Sequence, residues 1–387
     1  MQIGFIDFSK EERNKILATL KMLDTPTALD ELGIGVIRDA YADILFPGIS
    51  TIQTRAKYFV LIPYLFEKAS SLGLSNSSEL YRWIVNTEDR LVEVLVKNSE
   101  ADAIGIIGRR ANKQNRVVKM KPSSIYWNGL RTFEIIRTPM ISIQGACDVI
   151  WRSSHEKRDI ALKIEAESYD DISASHGQAV LISPIKPDYD FMKESSINLS
   201  EKEAKYLEER IIKSPYSKDS LLAFLVKSKI KATSFDAIQP AVLPEKLRSD
   251  FNLAKKFSDF IYGAHIRYNV IFSDGEDERM VEKFQEWLSA FQLNPCNLET
   301  IFGRVTVNPD TANFCRAFYE SAMMSDLSKM DDIIINREKK VKGDRSKLRK
   351  PKEYQYNDQR RIHDYKLDYR FGTAKWIIDD IIDGLGV

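Results

Sequence analysis

An apolar stripe spaced three and four residues apart, Leu253, Phe257, Phe260, Ile261, Ala264, Tyr268 and Ile271, runs through residues 244–272. Only a 3.6-residue repeat places all these side chains on one face, so the segment must form a helix of roughly 40 Å. The same period recurs along much of the chain. Ser200 with Glu203 forms a capping box that opens a helix to Lys213, and further helices are expected at 219–227, 278–291, 311–324 and 373–382. The last of these is expected to pack Trp376, Ile377 and Ile381.

Towards the N-terminus, residues 2–7 alternate as a short strand, and Ser9 with Glu12 opens a helix to about Leu23. Thr27 or Asp30 caps a second helix over 31–45, which stops at Pro47-Gly48. Ser50 is expected to cap a third, with Ile52, Ala56, Phe59 and Val60 on one face and a kink at Pro63. Ser77 or Ser78 opens a helix through Trp83, and 87–97 is again periodic. Pro122 followed by SSIYWNGL reads as a loop feeding a short helix, with Tyr126 and Trp127 as packing aromatics. Residues 152–198 turn polar and lose the period, which predicts a linker with one strand at 179–182. The expected fold is mainly α with a few short strands. It divides into an N-terminal helical domain (1–150), a polar linker (151–198) and a C-terminal helical domain (199–387).

With 387 residues and 43% hydrophobic content, the chain can bury two or three cores. No apolar run approaches the ~20 residues of a membrane span, and the N-terminus lacks the basic-then-apolar order of a signal peptide. Cys147, Cys296 and Cys315 are too dispersed for a disulfide framework or a zinc site, which places the protein in a reducing cytoplasm.

Charge is balanced overall, with 57 basic against 56 acidic side chains, but it is not evenly spread. Residues 337–361 hold eleven basic side chains against four acids, a local net of +7. Residues 109–131 hold seven basic side chains and no acid, again +7. Such concentration in a balanced chain suits the phosphate backbone of DNA or RNA. The expected phosphate contacts are Arg109, Arg110, Lys113, Arg116, Lys119, Lys121 and Arg131 from one stretch. The other supplies Lys339, Lys340, Lys342, Arg345, Lys347, Arg349 and Lys350, with Tyr354 and Tyr356 interleaved as stacking platforms. Residues 31–59 also have the layout of a helix-turn-helix, in which Gln53 and Arg55 open the recognition helix and reach bases or backbone.

No catalytic or cofactor motif stands out. His155, His176, His265 and His363 lack metal-ligand spacing, and neither a phosphate-binding glycine loop nor a GxSxG elbow is present. His155 to Asp159 echoes a phosphodiesterase motif, but its aspartate comes too early, and it reads as a charged turn. His265 is expected to be a packed, hydrogen-bonded core histidine, with Gly263 and Ala264 admitting a second backbone. Asp148, Lys163, Glu165 and Glu167 offer an alternative, a metal-dependent nuclease. A further alternative is a scaffold that grips an acidic protein partner. The leading expectation has no catalytic residue, metal or cofactor.

Several blocks resemble the bacterial domain-of-unknown-function family 6361. They are GFIDFS (4–9), ELGIGVIRDAYADILFPGISTIQTRAKYF (31–59), IGRRA (107–111), PSSIYWNGL (122–130), LSEKEAKYLEERI (199–211), GAHIRYN (263–269), REKKVKG (337–343) and LDYRF (367–371). The family has no established catalytic residues to carry over. Its members resemble components of bacterial genome-defence islands, encoded near helicases and nuclease-like genes. The resemblance therefore implies an accessory or recognition subunit of an antiphage system, with a helicase or nuclease from the same operon supplying the chemistry.

Overall fold

The computed structural model describes residues 30–386 except 115–117, 119, 139–141, 167–180, 183 and 351–352; of Lys113, 157–166 and Leu181 it describes the backbone alone. The strand expected at 2–7 and the capping box of Ser9 and Glu12 lie outside the described residues. In chain order the first elements are α1 (Gly35–Leu45), α2 (Tyr58–Ser71), α3 (Ser77–Asn98), α4 (Arg109–Lys113) and α5 (Pro122–Thr132). Strand β1 (Ile136–Arg137), α6 (Ile143–Ala166), β2 (Leu181–Ile182), α7 (Phe191–Glu194), α8 (Glu201–Lys213) and α9 (Leu221–Lys227) follow. The remainder is α10 (Glu245–Phe272), α11 (Glu278–Leu293), α12 (Leu298–Arg304), α13 (Pro309–Met323), α14 (Leu327–Lys342) and α15 (Phe371–Gly384). The fold is mainly α, and its two short strands pair antiparallel, Ile136 opposite Ile182.

The chain forms two compact units that are not consecutive blocks. Among the described residues, one joins 30–41 with Arg248–Tyr369, and the other joins Ala42–Leu247 with the segment from Arg370 onwards. The cut expected at 150 falls inside α6, and 152–166 is helical rather than part of a linker. His155 lies on this helix as well, its ring tilted against Trp151 at a centroid distance of 4.2 Å and Nδ1 3.1 Å from the Trp151 carbonyl.

In the first unit, α10 supplies the apolar stripe foreseen for it. Phe257, Phe260, Ile261, Ala264 and Tyr268 are buried, and Phe260 meets Phe291 of α11 and Phe318 of α13 at centroid distances of 5.7 and 5.9 Å. What approaches Gly263 is the indole of Trp287 rather than a second backbone: a Cβ there would stand 2.0 Å from the ring. His265 is buried as expected. Neither ring nitrogen, however, has a hydrogen-bond partner among the described residues, and the ring stacks on His363 at 4.8 Å.

In the second unit, α15 packs on α8 and α9, and α3 on α6. Ser200 and Glu203 form the capping box foreseen for α8. Ile377 and Ile381 are buried, whereas Trp376 stays exposed. Tyr126 and Trp127 are buried on α5; Tyr126 contacts Phe59 at 4.8 Å, and Trp127 contacts Phe66 at 5.7 Å. The pair Lys57 and Glu203 is fully enclosed, with Nζ 2.7 and 2.8 Å from the two carboxylate oxygens. Burial lowers the Lys57 pKa against the pull of Glu203.

Candidate nucleic-acid interface

Residues 50–57 form turns rather than a recognition helix, and α2 begins only at Tyr58. The reason is the hydroxyl of Tyr126. It accepts from the backbone N–H groups of Thr54 (2.8 Å) and Arg55 (3.0 Å) and donates to the Arg55 carbonyl (2.9 Å). A helix through these residues would need the same groups for its own ladder. Gln53 is only 4% exposed; its amide donates to the Gly48 carbonyl and accepts from the Ser50 N–H. Arg55 is held by both carboxylate oxygens of Asp380, by Asn198 and by the Ile104 carbonyl. Both residues brace the turn, so the helix-turn-helix expectation and their base-reading role are corrected.

The basic stretch at 109–131 divides into distinct roles. Arg109 donates to the Ala101 carbonyl at 2.7 Å and to the Ala103 carbonyl, closing the loop that precedes α4. Lys121 pairs with Asp89 at 2.5 Å. Arg110 is exposed and makes no ion pair among the described residues; it borders an open basin of about 680 Å³ with Gln114 and Val118. Arg131, in the last turn of α5, is also without an ion pair among them and borders another basin, of about 670 Å³. Arg116, Lys119 and the side chain of Lys113 lie outside the described residues.

The stretch at 337–361 is ordered, and most of its charge faces inward. Arg337, in α14, is buried and donates to the Leu32 carbonyl (2.7 Å), the Gly33 carbonyl (3.1 Å) and the Thr311 hydroxyl (2.7 Å). Beside it, the fully buried Glu338 carboxylate accepts from Tyr268 Oη and Ser346 Oγ at 2.6 Å and from the N–H groups of Lys347 and Leu348. Gly343, at φ +58, turns the chain back so that these amides reach Glu338. Glu31 gathers Lys347 (3.0 Å), Lys342 (3.7 Å) and His363 (3.2 Å). Burial opposes its ionisation, but the hydrogen bonds from His363 and Lys347 and the two lysine charges hold its carboxyl well below the usual range.

Arg361 is fixed to Asp277 at 2.7 Å, and Tyr356 donates to the same carboxylate, which removes it as a stacking platform. Lys340 and Lys350 make surface pairs with Asp310 and Glu353. Lys339, Arg345 and Arg349 make no ion pair among the described residues, and Lys339 and Arg349 are exposed. Lys342 and Lys347 are thus both engaged by Glu31.

The nuclease arrangement is not brought together at its two central carboxylates, and Glu167 lies outside the described residues. Asp148 and Glu165 lie on the single helix α6, seventeen residues apart, which places their Cα atoms about 25 Å apart, too far to share a metal. Among the described residues no cluster of three metal-ligating side chains occurs. Sequence patterning missed Tyr216, an exposed aromatic beside Arg131's basin; its one signal was the Ser214-Pro215-Tyr216 turn after α8.

No helix of the described residues is long and apolar enough to cross a membrane. Neither a curated protein nor a solved structure matches the chain. The blocks at 337–343 and 367–371 fall outside the part matched by a family model, which covers residues 1–278. By that match, the chain belongs to the family of unknown function DUF6361.

Proposed function

We propose that this protein binds nucleic acid through phosphate contacts from Arg110, Arg131, Lys339, Arg345 and Arg349. One observation carries the reading. After internal pairing is accounted for, these five cations of the two acid-poor stretches still lack an ion pair among the described residues, and two of them border open basins. Unpaired arginine and lysine at such positions suit phosphate oxygens. The role is that of an accessory or recognition subunit; a bacterial antiphage setting and a helicase or nuclease partner rest on the family resemblance alone.

Anisotropy of labelled single-stranded and duplex oligonucleotides at low salt tests the reading. Replacing the five residues by alanine should weaken binding at least tenfold, whereas alanine at Lys340 and Lys350, whose charges already have partners, should weaken it much less. No affinity at low salt, or equal losses in the two sets, contradicts it.

A protein-binding scaffold has an observation of its own. Leu293 is 87% and Met324 73% exposed. Gln292, the chain neighbour of Leu293, donates to the Ala322 carbonyl and Ser325 Oγ on either side of Met324, and Met323 and Leu327 are exposed as well. An apolar patch of this kind suits a protein partner. Complex formation that persists at high salt without nucleic acid would favour this reading.

A further inference from the structure

The basin beside Arg131 differs in chemistry from a surface that tracks a duplex. Its walls are the end of α5, β1, the turn around Gly48 and the turn after α8. Gly48, at φ +78, lets the turn approach α5 closely: a Cβ there would stand 3.0 Å from Thr132 Cβ. The turn after α8 is anchored by Ser214, whose hydroxyl donates to the Thr132 carbonyl at 2.5 Å and accepts from the Tyr216 N–H at 3.3 Å. This fixes the backbone of Tyr216 at the rim while the residue remains 68% exposed. Among the described residues the other exposed aromatics, Tyr365 and Trp376, do not line this basin.

Around the basin stand Arg131 and Arg137, the exposed amide of Asn128, and the carboxylates of Asp43 and Glu134. Asp43 is partly committed to Arg370 (2.6 Å), and Glu134 sits 3.5 Å from Arg137. The two carboxylates offer no donor to a phosphate backbone, whether single-stranded or duplex. They are, however, acceptors suited to the amino and imino groups of an unpaired base. The aromatic ring offers a stacking platform, the unpaired guanidinium suits one phosphate, and the amide can both donate and accept. A volume of about 670 Å³ lies within the range of small-ligand sites.

Building on the nucleic-acid reading above, we infer that this basin holds one unpaired nucleotide of a single strand. Its base stacks on Tyr216 and its phosphate rests on Arg131. Asp43, Glu134 and Asn128 face the base edge. The protein is therefore selective for single-stranded over duplex nucleic acid, and the selectivity resides in Tyr216.

The test is anisotropy on the full chain with a labelled single strand and a hairpin-closed duplex of the same length. A second strand carrying 2-aminopurine reports stacking. Tyr216→Ala should weaken single-strand binding by about 5- to 150-fold, the range for loss of one base–aromatic stack, and leave duplex affinity unchanged. Tyr216→Phe should retain single-strand affinity, and 2-aminopurine quenching should disappear in Tyr216→Ala alone. The exposure of Tyr216 makes misfolding of these variants an unsuitable explanation, and unchanged thermal unfolding confirms it. Wild-type single-strand affinity in Tyr216→Ala overturns the inference while the broader reading stands. Failure of the wild-type chain to bind either probe overturns both.

Discussion

Gly263 lies face-on beneath the indole of Trp287, which is anchored by its Nε1 donating to the Asp259 carbonyl at 2.7 Å. A methyl group there has no space, so Gly263→Ala should destabilise the chain by about 1–3 kcal/mol through overpacking. Gly303, on α12, has nothing within 4 Å of an added Cβ, and Gly303→Ala should be neutral or gain up to ~1 kcal/mol. Urea denaturation of the two variants measures the contrast. Glu88 makes a different point at this scale. Burial raises its pKa to about 7 against the hydrogen bonds from Ser123, whose N–H donates at 2.5 Å. The native state thus keeps a proton that the unfolded chain releases above about pH 4.5, so this carboxyl's contribution to stability falls as pH rises from 4.5 through 7, by on the order of 3 kcal/mol. His265, pushed down to about 3 by burial and by His363, has the opposite sign: its contribution is lost as pH falls below about 6.5. Glu88→Gln should remove the Glu88 slope alone, so the difference between wild-type and variant stability should change across pH 4.5–7; a difference that stays constant over this range would show that Glu88 is not the group responsible.

Among the elements, those whose periodicity and caps agree were legible in the sequence. The stripe of α10 and the capping box of α8 fall where patterning placed them. The failures have physical causes. The serine pair and the charges of 152–166 look like loop, yet they extend α6, with Ser154 Oγ bonding back to the Trp151 carbonyl. Ser50 has the identity of an N-cap, but Tyr126 Oη, 72 residues away from Thr54, claims the backbone that a helix would need. The charge stretches misled most, because the carboxylates that bind them, Glu31, Asp277 and Asp310, lie far away in sequence. Lys57 and Glu203 join α2 and α8 in the same manner, and Tyr189 also donates to Glu203. Lys57→Met strands a buried carboxylate and should destabilise by about 3–5 kcal/mol. Lys57→Met with Glu203→Gln keeps the capping geometry of α8 and should recover most of that loss. Equal destabilisation of single and double variants, read by denaturation, would show that the charge itself is not the issue.

For the whole molecule, the near-zero net charge conceals two local excesses that internal pairing trims without erasing. Arg110 and Arg131 belong to one compact unit, and Lys339, Arg345 and Arg349 to the other. Alanine at the first pair should therefore remove about two phosphate contacts, and at the second trio about three, each separable by salt dependence. The most direct measurement is the affinity of the wild-type chain for a single strand as salt is raised from about 50 to 200 mM. Five phosphate contacts predict a slope of log K against log salt of roughly −3 to −4, at ~0.7 per contact. A slope near zero, or no binding at the lowest salt, would contradict the account.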